Sequence, residues 1–115
     1  MQHSQEYVTV NNGELIPSVC RLCQDGYRLV QISATKKEKL ELIYSFDKNY
    51  ELVNLRMDIG DDEEIQSISG IYPYAFLYEN ELKDLFGVNI VNINIDFKGH
   101  LYKTSIKTPF NADQE

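Results

Sequence analysis

Few side chains in this 115-residue chain have the type and spacing to do chemistry. Cys20 and Cys23 form a Cys-x-x-Cys pair, which is half of a zinc or iron–sulfur site, or a redox couple. The other half of a metal set is missing. The only histidines are His3 and His100, near the two ends, and neither has metal-ligand spacing with the cysteines. A thioredoxin-type pair needs a preceding strand and an activated N-terminal thiol. Here both cysteines fall mid-helix, three residues apart on the apolar side. The expectation is two buried, reduced cysteines acting as small hydrophobes, a state suited to a cytoplasmic setting.

The carboxylates offer no better start for catalysis. Asp61, Asp62, Glu63 and Glu64 crowd into a loop after Gly60, but without the ligand spacing of a calcium loop, so a solvated loop is expected. There is no Ser-His-Asp or Cys-His pattern with a plausible base, and no glycine-rich phosphate loop. A small stand-alone enzyme would need Glu81, Asp84 and His100 to converge from separate elements in an apolar pocket with perturbed pKa values. A binding or structural role is the stronger expectation.

The most strongly patterned stretch runs from Tyr72 to Ile90 and reads as one helix followed by a strand. Pro73 suits the first helical position, where its missing N–H costs nothing. Gly87 falls just past the last periodic residue and can close the helix in the left-handed conformation. Tyr74, Tyr78, Leu82, Leu85 and Phe86 recur at three- and four-residue spacing and predict an apolar stripe. Glu79 and Lys83 are one turn apart in the favourable order. Glu79 and Glu81 are two apart, point to nearly opposite sides and cannot form a dyad, whereas Glu81 and Asp84 can share a face. That face lies beside the stripe, where acids are either solvated or aimed at a partner's cation.

The residues Ala75 to Val88 resemble the signature of the 30 kDa subunit of respiratory complex I. That signature has an alanine and an aromatic, then Glu-Arg-Glu, two residues, Asp, Leu or Met, Phe, Gly and Ile or Val. Glu79, Glu81, Asp84, Leu85, Phe86, Gly87 and Val88 match it in position, while Asn80 replaces the central Arg and Leu77 the usual Trp. The same protein recurs, shorter and with a looser signature, in energy-converting membrane-bound nickel–iron hydrogenases. The resemblance is closest to that version, the D-type component of Ech hydrogenases. It implies a cofactor-free accessory subunit of the cytoplasmic arm. Nickel–iron and iron–sulfur clusters would lie in partner subunits, and the partners would be the hydrogenase large subunit and the iron–sulfur subunits. The equivalent subunit of an NADH:quinone oxidoreductase is the alternative. Docking would fall to Glu79, Glu81, Asp84, Leu85, Phe86 and Gly87, with purely internal structure as the competing role. Ser67, Ile68 and Pro73 sit where the family places a serine, hydrophobics and a proline before its signature. Phe97 to His100 is a poor match to the family's Phe-x-Gly-His-Pro-Asp-Leu element, so no docking role passes to His100. Pro109 and Phe110, in an extended C-terminal tail, are candidate contacts with a neighbour.

The remaining composition suits such a part. One domain over residues 1–115 is expected, and the chain is long enough to bury a core without staples. It is 43% hydrophobic and 25% charged, ordinary for a globular protein. A net charge of −7 argues against nucleic acid and anionic membrane surfaces as partners. No apolar run approaches a membrane span, and no signal peptide is expected, so attachment to the cytoplasmic face of a membrane would be indirect, through other subunits.

The elements that must position the signature helix are legible in outline. Met1 to Gln5 reads as frayed, and Glu6 to Val10 as a short edge strand. Asn11 to Gly13 read as a turn and helix cap before a helix from Glu14 to Gln24, with Pro17 in or near its first turn. Strands are predicted at 27–34, 40–46 and 50–59, with Leu40, Leu42, Tyr44, Phe46, Val53, Leu55, Met57 and Ile59 inward. Short connections make them antiparallel neighbours. Ile65, Ile68 and Ile71 suggest a helical turn, and Val91 to Phe97 alternates as a strand, with His100 to Ile106 as its return partner. The predicted class is α+β: a two-layer fold with a mostly antiparallel sheet of about five strands covered by two main helices.

Overall fold

The computed structural model describes residues 4–95. Its order of elements is β1 (Ser4–Thr9), α1 (Asn12–Gln24), β2 (Arg28–Lys36), β3 (Leu40–Lys48), β4 (Glu51–Ile59), β5 (Glu64–Gln66), α2 (Ala75–Phe86) and β6 (Asn89–Val91). The fold is α+β. Its sheet has four strands in the order β1-β4-β3-β2, and β5 and β6 form a separate parallel pair.

The strands β2, β3 and β4 form two antiparallel hairpins in the predicted places. Their inner face carries Ile32, Leu42, Tyr44, Phe46, Val53, Leu55, Met57 and Ile59, all buried, as the period-two pattern requires. The turn between β3 and β4 is tighter than predicted. Lys48 pairs with Glu51, and Asn49 and Tyr50 form a two-residue loop with φ of 51° and 69°. Positive φ at both positions matches the right-handed twist of the strands. β1 is an edge strand as expected, but it runs parallel to β4, so the sheet is mixed.

Both helices contribute to the core on this inner face. Asn11 caps α1: its side chain accepts from the Glu14 N–H, and Glu14 reaches back to the Asn11 N–H at 3.0 Å. Leu15 and Val19 of α1 are fully buried. Pro17 lies just beyond the first turn, where it removes one backbone donor without ending the helix. Cys20 is half-buried and Cys23 exposed, so the expectation of two buried cysteines is corrected.

The opposite sheet face is closed by polar contacts. Ser45 and Asn54, cross-strand partners, are buried and bonded at 2.7 Å, and Asn54 Nδ2 also donates to the Glu6 carbonyl. Glu41 sits between Lys37 and Arg56 at 3.2 and 3.9 Å.

Two predicted elements differ. Ile65 belongs to strand β5, and the predicted helical turn is confined to residues 68–72, where the Ile71 and Tyr72 N–H groups both bond to the Ile68 carbonyl at 2.9 Å. Ile65 and Ile68 are buried in the core and Ile71 packs against it, the first from the strand and the other two from the turn. The alternation from Val91 also misleads. β6 ends at Val91, and Asn92 at φ 65° turns the chain out of extended geometry. The predicted return strand, and with it His100, Pro109 and Phe110, lies outside the described residues, as does His3.

Candidate functional site

Helix α2 is two residues shorter at its start than Pro73 suggests. Tyr74 occupies the N-cap position without a side-chain cap bond, and Pro73 precedes it. Its end is as expected. Gly87 takes φ 69°, and its N–H bonds to the Lys83 carbonyl.

The helix turns only the middle of the predicted stripe inward: Leu82 is buried and Tyr78 packs against the core, while the stripe's two ends face out. Ala75, Glu79, Asn80 and Leu82 are the buried residues, while Tyr74, Leu77, Leu85 and Phe86 are exposed. Leu85 is 57% and Phe86 43% accessible. The signature residues therefore divide. Glu79 faces the core, and Glu81 and Asp84 are half-buried on the flank. Leu85, Phe86 and Gly87 are exposed at the tip.

Glu79 has no accessible surface. A charge there must be hydrogen-bonded to persist. The Ser67 hydroxyl donates to one carboxylate oxygen at 2.6 Å, and the Ile68 N–H donates to the other at 2.8 Å. Burial pushes the carboxyl above its ordinary range, and these two bonds pull it partly back. Ser69 extends the network. Its hydroxyl lies 2.7 Å from that of Ser67 and accepts from the Asn94 N–H at 2.9 Å. One helical carboxylate thus fixes the turn after β5, and that turn fixes the chain after β6.

Asn80 performs a parallel task. Its Nδ2 donates to the Phe76 carbonyl at 2.8 Å and to the Ile95 carbonyl at 2.7 Å. A short amide fits this buried position where the signature has Arg. Nearby, the Tyr44 hydroxyl is buried with no hydrogen-bond partner among the described residues. Burial, with the Glu79 charge second, raises its pKa. Sequence reasoning does not pair Glu79 with Ser67 and Ser69. Two serines flanking Ile68 are the only local signal of that network.

Two tyrosines join this region to the sheet edge. Tyr72 donates to the Tyr27 carbonyl at 2.7 Å, and Tyr78 to the Val30 carbonyl at 3.0 Å. Burial is the main reason that the Tyr72 pKa is pushed up to about 12, with Cys23 adding to it.

Among the described residues no group of three or more His, Cys, Asp or Glu is placed to hold a metal ion. Glu63 is engaged by Asn12 at 3.0 Å and by the Gly60 N–H at 2.9 Å. No helix among the described residues is long and apolar enough to cross a membrane.

Comparison with known proteins gives this arrangement a context. The family model described as respiratory-chain NADH dehydrogenase, 30 Kd subunit, matches residues 8–113. The chain is 27% identical over 101 residues to NADH dehydrogenase (ubiquinone) iron-sulfur protein 3 of Oryza sativa subsp. japonica, covering 79% of the chain and 53% of that protein. It is 32% identical over 66 residues to the C-type component of NADH-quinone oxidoreductase from Jannaschia sp., covering 52% of the chain and 32% of the relative. It is 34% identical over 68 residues to the C/D-type component of NADH-quinone oxidoreductase from Chromohalobacter salexigens, covering 58% of the chain and 10% of the relative. The chain thus spans about half the length of the rice protein and less of the other two.

Proposed function

This chain belongs to the respiratory-chain NADH dehydrogenase 30 kDa subunit family, and from that premise we propose that it is a non-catalytic subunit of a complex I-type NADH-quinone oxidoreductase. The family match over residues 8–113 carries this reading. The names of all three relatives support it.

The geometry of α2 supports a docking role divided between its two sides. Glu79 acts inside the fold, holding Ser67 and Ile68. Leu85, Phe86 and Gly87 present an apolar tip to a neighbouring subunit, with Glu81 and Asp84 on the flank. In this reading the chain binds no cofactor itself. The redox centres lie in partner subunits, and attachment to the cytoplasmic face of the membrane is through them. Pro109 and Phe110 remain proposed tail contacts with a neighbour.

The narrower placement in a nickel–iron hydrogenase rests on the short length and on Asn80 and Leu77 standing in place of the signature's Arg and Trp. These three relatives carry NADH-dehydrogenase names and none a hydrogenase name, so the complex I-type assembly takes precedence.

The test is affinity purification from native membranes in mild detergent, with co-eluting proteins identified. Flavin and NADH dehydrogenase activity in the eluate are expected. Nickel with hydrogen-evolving activity would move the chain to the hydrogenase assembly. Elution as a lone chain would overturn both.

A further inference from the structure

We propose that the groove at the C-terminal end of α2 receives a basic segment of a partner protein, anchored by an apolar side chain; this rests on the subunit reading above. The groove has a volume of about 580 Å³. Leu85 and Phe86 form one wall, Leu40 and Ile59 lie at the sheet end, and Asp61 and Asp62 stand on the rim. Phe86 lines the groove and is still 43% accessible, so an aromatic face is left unfilled. The left-handed Gly87 ends the helix here, and no described residue lies within 4 Å of where a Cβ would stand. The space beside the helix end is open.

Charge selects the occupant. Asp61 and Asp62 are exposed and make no ion pair with another described residue, whereas Glu63 beside them is held by Asn12 and the Gly60 N–H. Among the described residues Lys36 is the single amine lining the groove. Two uncommitted carboxylates over an apolar floor suit an aliphatic or aromatic side chain flanked by Arg or Lys. A second copy of this chain is a poor occupant, since it brings a net charge of −7 against the same acidic rim.

The decisive experiment places a photo-crosslinker at Phe86 (Phe86→p-benzoylphenylalanine) in the complex purified from native membranes, with a second at exposed Gln31 as control. The expected adduct at Phe86 joins another protein's peptide in which Arg or Lys flanks an apolar residue. Adducts to residues 96–115 of this chain, or to a second copy, overturn the proposal. So does co-purification with the oxidoreductase without any adduct at Phe86, which leaves the subunit reading intact. Elution as a lone chain overturns the subunit reading and the groove assignment with it. Asp61→Lys combined with Asp62→Lys is expected to lower partner recovery at least tenfold while the thermal melt of the isolated protein stays unchanged. Undiminished recovery would also overturn the proposal.

Discussion

The Glu79 carboxylate accepts a 2.6 Å hydrogen bond from the Ser67 hydroxyl, and both residues are buried. Glu79→Ala leaves the Ser67 hydroxyl and the Ile68 N–H without their acceptor in the interior. Each such orphan costs about 1–3 kcal/mol. Urea denaturation is expected to show a loss of that order or somewhat more. Combining Glu79→Ala with Ser67→Ala should cost less than the sum, because the two share one network. Strict additivity would sink the assignment.

The same carboxylate gives a pH signature of unusual sign. Burial raises its folded-state pKa, so the folded chain holds the proton more tightly than the unfolded one. Its stabilising contribution is therefore full below the ordinary carboxylate range and is lost as pH rises through the raised value. Asp47 behaves oppositely. The hydrogen bond from Arg28 lowers its pKa, so its contribution is present above the ordinary range and lost as pH falls. The Glu79→Gln variant should accordingly gain stability relative to the parent as pH rises through the Glu79 titration. A stability difference that is flat with pH would contradict this.

Tyr44→Phe removes a buried hydroxyl that has no partner among the described residues. Deleting an unsatisfied polar group is close to neutral or stabilising by up to about 1 kcal/mol. Ser45→Ala, one residue along and on the other sheet face, breaks its bond to Asn54 and should cost about 1 kcal/mol. Parallel denaturant titrations of the two variants separate them by sign.

Gly87→Ala tests the helix stop. The residue sits at φ 69° with no described residue within 4 Å of an added Cβ, so the penalty is conformational and not steric. About 1 kcal/mol is expected, or several degrees in Tm. A loss several times larger would contradict the open surroundings of this helix end.

Asn11→Ala breaks the capping box at the start of α1 and should cost about 1 kcal/mol. Asn11→Asp retains the acceptor and should restore most of it. Thermal melts of the pair give the comparison.

Much of this fold is legible in the chain. Strands β3 and β4 follow from strict alternation between Leu40 and Ile59, and the α2 stop follows from Gly87 alone. What escapes a sequence reading depends on distant partners. Ile65 pairs with Ile90 in a parallel register that no local period reveals. For Glu79 the sequence leaves partner docking and internal structure as rival roles, because nothing local names its receptor. Its receptor is a turn 11–12 residues upstream. Leu85 and Phe86 keep the spacing of a buried stripe, but they stay exposed beside a groove that no described residue fills.

The parallel docking of β1 on β4 sets an order of assembly. β2, β3 and β4 join through two short hairpins, whose loop closures are inexpensive. β1 must find residues 51–56, some 47 positions downstream, so its pairing closes the longest loop in the sheet. Strand β1 leaves the ribosome before its partner and is therefore among the last of these four to be paired. Until residue 56 has emerged, its backbone donors and acceptors have only water, or a neighbouring nascent chain, to satisfy them.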